Sequence, residues 1–181
     1  MKKKMSLFIG IFVFISSALF SQTLMIYGIE NVYLDMEVND FVRRYATSIE
    51  INNSDNKLSD IRQFYVGNYG RSEGIELSFF RNKLYFVRMM FKSDRFPIQD
   101  FSNQIQSIYG EFDEIREEDQ SNSIYYMQKS KRIILTRHFS NNLKIDIYIT
   151  EVYSGDRLIN QTYTCFYINP VVSEEIRRMT Q

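Results

Sequence analysis

The sequence predicts an α+β fold of two layers, an antiparallel sheet with helices packed on one face, in the order helix, strands, helix, strands and a final helix. Three observations lead there. Leu143, Ile145, Ile147 and Ile149 alternate with Lys144, Asp146, Tyr148 and Thr150, the period-two pattern of a strand with one buried face. Three separate stretches instead carry apolar residues at helical spacing. Connections between adjacent strands are too short for parallel crossovers, so neighbours must be antiparallel.

The chain opens with MKKKMSLFIGIFVFISSALFSQ. Lys2, Lys3 and Lys4 form a cationic start, an apolar run follows, and small residues close it, which is the layout of a secretory signal peptide. The apolar stretch Leu7 to Phe20 is shorter than the roughly 20 residues a spanning helix needs. We therefore read residues 1–21 as a signal peptide and 22–181 as one exported domain, with no stable membrane anchor after cleavage. Cleavage before Leu19 is the other choice. The lysine-only start suggests a bacterial source, and periplasmic or extracellular residence follows.

Composition narrows the function. The full chain holds 22 basic and 22 acidic residues, and losing the three signal lysines leaves a net charge of −3. A nucleic-acid partner would call for a basic excess, so none is expected. Cys165 is the only cysteine and cannot close an internal disulfide. It lies in the apolar run Tyr163 to Ile168, where a buried small hydrophobe is expected rather than a reactive thiol.

The first helix is expected over about Met36 to Ala46, capped by Asp35, with Leu34, Val38, Phe41, Val42 and Tyr45 on one face. Asn52 to Ser59 reads as a polar loop. Strands follow at Ile61–Asn68, Gly74–Phe80 and Leu84–Phe91. The second helix runs from about Pro97 to Tyr109, with Ile98, Phe101, Ile105 and Ile108 as its stripe and Gly110 as its terminator. Further strands are expected at Ser123–Gln128, Arg132–His138, Leu143–Val152 and Arg157–Ile168. Asn169 caps and Pro170 starts the last helix, in which Arg177 and Arg178 suit the C-terminal end of the dipole.

Hairpin register follows from parity, because an odd loop pairs residues of equal parity and an even loop flips it. Three-residue loops at Arg81–Lys83, Lys129–Lys131 and Ser140–Asn142, or equivalent registers, place Leu77 opposite Val87, Ile75 opposite Met89, Phe79 opposite Tyr85, Met127 opposite Ile133, Tyr125 opposite Leu135, Leu135 opposite Ile147 and Ile133 opposite Ile149. All these choices agree on one buried face.

The hairpin Leu77-Ser78-Phe79-Phe80-Arg81-Asn82-Lys83-Leu84-Tyr85 between two helices, the second ending Ile108-Tyr109-Gly110, and the strand meander after it resemble the small exported β-lactamase-inhibitor-protein-like domains and the outer-membrane-assembly lipoproteins of similar fold. The resemblance spans about Gly28 to Val152. It implies helices on one side of an antiparallel sheet and a second side free to bind protein. The cysteine pairs of the first group and the lipid-bearing cysteine of the second are missing, so no functional residue carries over.

Sets that carry chemistry are scarce. His138 is the only histidine, without partners at metal-ligand spacing, and no Gly-x-Ser-x-Gly motif accompanies it. Glu111 to Asp119 is rich in carboxylates but lacks the glycine and ligand spacing of a calcium loop, and is expected as a solvated edge. No cofactor and no metal are expected. The face opposite the core is the candidate site. It should present Phe80, Phe86, Arg88, Met90, Tyr126, Arg132, His138 and Tyr148, with Leu84 beside them, a mixture enriched at protein interfaces. The expected function is a non-catalytic binding or envelope-assembly module that uses this open face against an envelope or extracellular protein or peptide. The alternatives are an envelope glycan hydrolase using Glu111, Asp113 or Glu117, and a carrier of small apolar ligands.

Overall fold

Eight antiparallel strands hydrogen-bond into one sheet in the computed structural model of the chain, which describes residues 24–51, 60–119, 128–139 and 141–181. The segment read as a signal peptide, the loop read over 52–59, most of the strand expected at Ser123–Gln128, and Tyr126 lie outside the described residues. In chain order the elements are α1 (Val38–Arg44), β1 (Ile49–Ile51), β2 (Ile61–Val66), β3 (Gly74–Phe80), β4 (Lys83–Lys92), α2 (Ile98–Tyr109), β5 (Glu114–Asp119), β6 (Gln128–His138), β7 (Lys144–Ser154), β8 (Arg157–Ile168) and α3 (Pro170–Thr180). The fold is α+β. Across the sheet the order is β1-β2-β3-β4-β8-β7-β6-β5, so two four-stranded meanders meet at a seam where β4 pairs with β8.

Alternation gives the sheet an inner and an outer face. Ile75, Leu77, Val87, Ile145, Ile147, Cys165 and Tyr167 are fully buried on the inner one. α1 sets Phe41 against Phe64 and Phe79, each 5.4 Å away between ring centres. α2 sets Phe101 against Phe91 at 4.8 Å and Tyr163 at 5.1 Å. The irregular segment before α1 adds Leu24, Ile26, Val32, Leu34 and Met36 to the same cluster. Each such side chain contributes about 1.5–3 kcal/mol when it leaves water.

Helix ends follow local chemistry. α1 is shorter than the sequence suggests and Asp35 does not cap it: Glu37 holds the N-cap position, and Asp35 sits at φ +70° with its N–H donated to Leu84 O at 2.8 Å. α2 ends at Gly110, whose φ of +90° is a conformation that glycine adopts without a Cβ penalty. α3 is capped by Asn169 Oδ1, which accepts from Val172 N at 3.3 Å, and Pro170 occupies its first turn.

The β3–β4 hairpin combines two devices. Arg81 and Asn82, at φ +47° and +67°, form a two-residue turn of the primed kind that suits strand twist. A bulge between Ser78 and Phe79 then restores equal parity, so Ile75 faces Met89 and Leu77 faces Val87 as the sequence suggests. Phe79 consequently faces Leu84, not Tyr85. The bulge turns Leu84 into the core, where it is fully buried, and removes it from the outer face. Phe80 is also lost as a contact residue: it is 5% exposed, and the Arg81 guanidinium lies 4.6 Å from its ring centre. The β7–β8 hairpin repeats the arrangement, with Ser154 opposite Arg157 and a register shift between Val152 and Tyr153.

Lys129–Lys131 is not a turn. β6 runs through it, paired with β7 as far as Gln128 opposite Ser154. Leu135 lies between Ile147 on one side and Ile115 on the other, and Ile133 between Ile149 and Glu117; Tyr125 and Met127, expected opposite them, lie outside the described residues. The pairing expected across the next turn is present, because the connection Phe139–Leu143 is also odd.

Candidate functional site

Register across β4, β8, β7 and β6 arranges sixteen outward side chains as a square of four rows. The first row is Phe86, Ile168, Lys144 and His138; the second is Arg88, Phe166, Asp146 and Thr136. The third is Met90, Thr164, Tyr148 and Ile134, and the fourth is Lys92, Thr162, Thr150 and Arg132. Of the residues the sequence nominates, the square holds Phe86, Arg88, Met90, Arg132, His138 and Tyr148. Phe80 is buried, and Tyr126 is outside the described residues.

One diagonal of the square is aromatic and ends on a cation. Phe86 and Phe166 have ring centres 5.8 Å apart, Phe166 and Tyr148 are 4.9 Å apart at 66°, and the Arg132 guanidinium lies 5.6 Å from the Tyr148 ring. Aromatic contacts of this kind contribute about 0.5–1.5 kcal/mol beyond area burial. Phe86, Phe166 and Tyr148 remain only partly buried. Phe166 is the functional candidate the sequence reading missed. Its signal was available: Tyr163, Cys165 and Tyr167 point inward, so Phe166 between them must point outward.

Beside the diagonal a buried polar set fixes the sheet. Asp146 is 2% exposed; Thr136 Oγ1 donates to its Oδ1 at 2.8 Å, and Lys144 Nζ donates to its Oδ2 at 2.7 Å. Arg88 Nη1 donates to Glu76 at 3.2 Å, and Arg132 lies 4.0 Å from Glu118. The Nε of Arg88 and the Nε of Arg132 are buried without a hydrogen-bond partner, an arrangement that carries a desolvation penalty.

α3 stands at the first row. A groove of about 380 Å³ lies between Phe86, Lys144 and Ile168 of the sheet and Ser173, Glu174 and Arg177 of the helix. A larger groove of about 1180 Å³ continues past His138 and Phe139 to Val171 and Met179. No residue of α3 is fully buried, and Arg81 joins it to the β3–β4 turn through Glu175 at 2.9 Å. His138 is exposed and faces Glu114, 3.4 Å away.

None of the three grooves described brings together two of the three carboxylates considered for hydrolysis. Asp113 accepts from His138 N at 2.6 Å and from Arg137 Nη1 at 2.7 Å, and these partners hold its carboxyl below the ordinary carboxylate range. Glu117 pairs with Lys131 at 2.8 Å and lines a groove of about 440 Å³ with Glu118 and Asp119. Glu111 and Asp113 do not line it. Among the described residues no group of three or more His, Cys, Asp or Glu side chains is placed to hold a metal ion. No helix among them is long and apolar enough to cross a membrane.

No protein-family model matches the chain, and neither a curated protein nor a solved structure matches it. Function must be argued from the site itself.

Proposed function

We propose that the protein is an exported, non-catalytic binding or envelope-assembly module whose outer sheet face takes a protein or peptide partner. In this reading α1 and α2 form the second layer over the inner face, and the outer face stays open beside α3. The observation that carries it is the half-buried diagonal Phe86, Phe166, Tyr148 and Arg132, an aromatic and arginine mixture of the kind that dominates binding energy at protein interfaces. The resemblance to inhibitor-like exported domains points the same way. Hydrolysis has less support, because Asp113 and Glu117 are occupied by Arg137 and Lys131.

A photo-crosslinking residue placed at Phe166 or Met90 tests the reading in cells that express the full chain. Capture of a discrete partner from these positions, and not from the exposed Val42 on α1, is the expected result. Equal capture from Val42, or none from Phe166 and Met90, would overturn it.

A further inference from the structure

The charges around the diagonal define the chemistry of the partner; this inference rests on the outer face being a partner surface. Among the sixteen outward positions, Arg88, Lys92, Lys144 and Arg132 are the cations. The one carboxylate, Asp146, is buried and engaged by Thr136 and Lys144. Carboxylates that solvent reaches stand around the square and not on it: Glu73, paired with Lys92, Glu76 on β3, Glu114 and Glu118 on β5, and Glu174 on α3 across the groove from Phe86 and Lys144. Cations therefore bracket the diagonal, with Arg88 and Lys92 on one side, Lys144 on the other and Arg132 at its end.

Two of these cations have spare capacity. Lys92 is paired with Glu73 at 2.9 Å and Lys144 with Asp146 at 2.7 Å. Arg88 makes one contact at 3.2 Å, and Arg132 has its nearest carboxylate at 4.0 Å. A guanidinium can hold a carboxylate through two parallel hydrogen bonds, and neither group is used that way. We infer that the partner offers an extended acidic segment laid along the diagonal, its carboxylates on Arg88 and Arg132 and its apolar side chains on Phe86, Phe166 and Tyr148.

Geometry sets the length. Phe86 and Arg132 are three strand spacings and three two-residue steps apart, about 24 Å, or about seven residues of extended peptide. Single-stranded nucleic acid is also anionic, but base stacking uses a ring face. Here the Phe166 ring leans at 41° to Phe86 and 66° to Tyr148, so the stripe offers no common plane on which successive bases could stack. The tilted rings favour a peptide.

The test measures fluorescence anisotropy with protein purified from cells that express the full chain. The probes are a labelled peptide of alternating Glu and Tyr that spans the diagonal, the same peptide with Lys for Glu, and a thymidine oligonucleotide of equal length. The parent protein should prefer the Glu peptide by about tenfold or more, about 1.4 kcal/mol, and lose affinity as salt rises. The double variant Arg88→Glu, Arg132→Glu should reverse the preference toward the Lys peptide, a gain that misfolding cannot produce. If that variant does not fold, Arg88→Gln with Arg132→Gln should abolish the preference. Equal binding of both peptides, absence of binding by the parent, an unchanged preference in the variants, or binding of the oligonucleotide alone would each overturn the inference. If crosslinks from Phe166 still capture a partner, only the acidic segment falls. If they capture none, the partner surface falls with it.

Discussion

Tyr65 lies across Gly74: a Cβ built on the glycine would come within 2.5 Å of the tyrosine hydroxyl and 2.7 Å of its ring. The ring thus covers the backbone of the neighbouring strand on the outer face, and a side chain at position 74 would have to push that ring aside. Gly74→Ala should destabilise the protein by about 1 kcal/mol, the low end of the overpacking range, because the ring it meets is only partly buried and can turn away. Tyr65→Ser in the same chain should recover part of that loss. Urea titration of the two single variants and the double variant checks the coupling.

Lys144 and Asp146 should be more costly to break singly than together. Lys144→Ala leaves the 2%-exposed Asp146 carboxylate with Thr136 alone; breaking a fully buried pair costs about 3–5 kcal/mol, and the 29% exposure of the Lys144 side chain brings the expected loss below that range. Lys144→Met with Asp146→Leu removes both charges and should be milder. Comparable losses in the single and double variants, measured by chemical denaturation, would contradict this account.

α3 should respond to acid through Glu174. Hydrogen bonds from Arg177 and Arg178 push its carboxyl down to about 2, from an ordinary value near 4.5. A depressed folded value means that the contribution is present above pH 4.5 and is lost as pH falls toward 2. The group is exposed, so the effect is confined to the helix and is weakened by salt. The side-chain Nε–H signals of Arg177 and Arg178, which donate to Glu174, should move through this range in the parent and lose that movement in Glu174→Gln.

Alkali should act on the core. Burial pushes the Cys165 thiol well above 9, Tyr163 and Tyr167 above 10, and Tyr109 up to about 12. These groups ionise first in the unfolded chain, so stability is fully present below about pH 9 and declines as pH rises beyond it. Cys165 should react with a thiol reagent only when denaturant is added. Labelling of the native protein at the rate of an exposed thiol would refute the burial argument.

Much of the sheet was legible from period-two alternation, which is why β3, β7 and β8 lie where the residues suggest. β5 was not, because Glu114–Asp119 is a charged edge strand and charge there blocks edge-to-edge pairing while hiding the strand pattern. The bulge at Ser78 was also hidden: parity settles which residues face each other at Leu77 and Val87, but not where an extra residue is inserted. Phe80 stands opposite Lys83 on the outer face, but the turn that follows brings Arg81 over its ring and buries it, which parity alone does not show. Lys129–Lys131 reads as a turn by composition, yet a solvated strand end tolerates the same residues. Of the candidate site, the strand positions were readable and the diagonal was not, because it exists only once β4 is set beside β8.

That seam joins strands that lie far apart in sequence. Each half closes through neighbouring strands of low sequence separation, whereas β4 and β8 come from distant parts of the chain, and long-range pairings close later in general. Phe86 belongs to the first half and Phe166, Tyr148 and Arg132 to the second. Neither half alone displays the complete stripe. A ligand that reads the whole diagonal therefore recognises a chain that has finished folding.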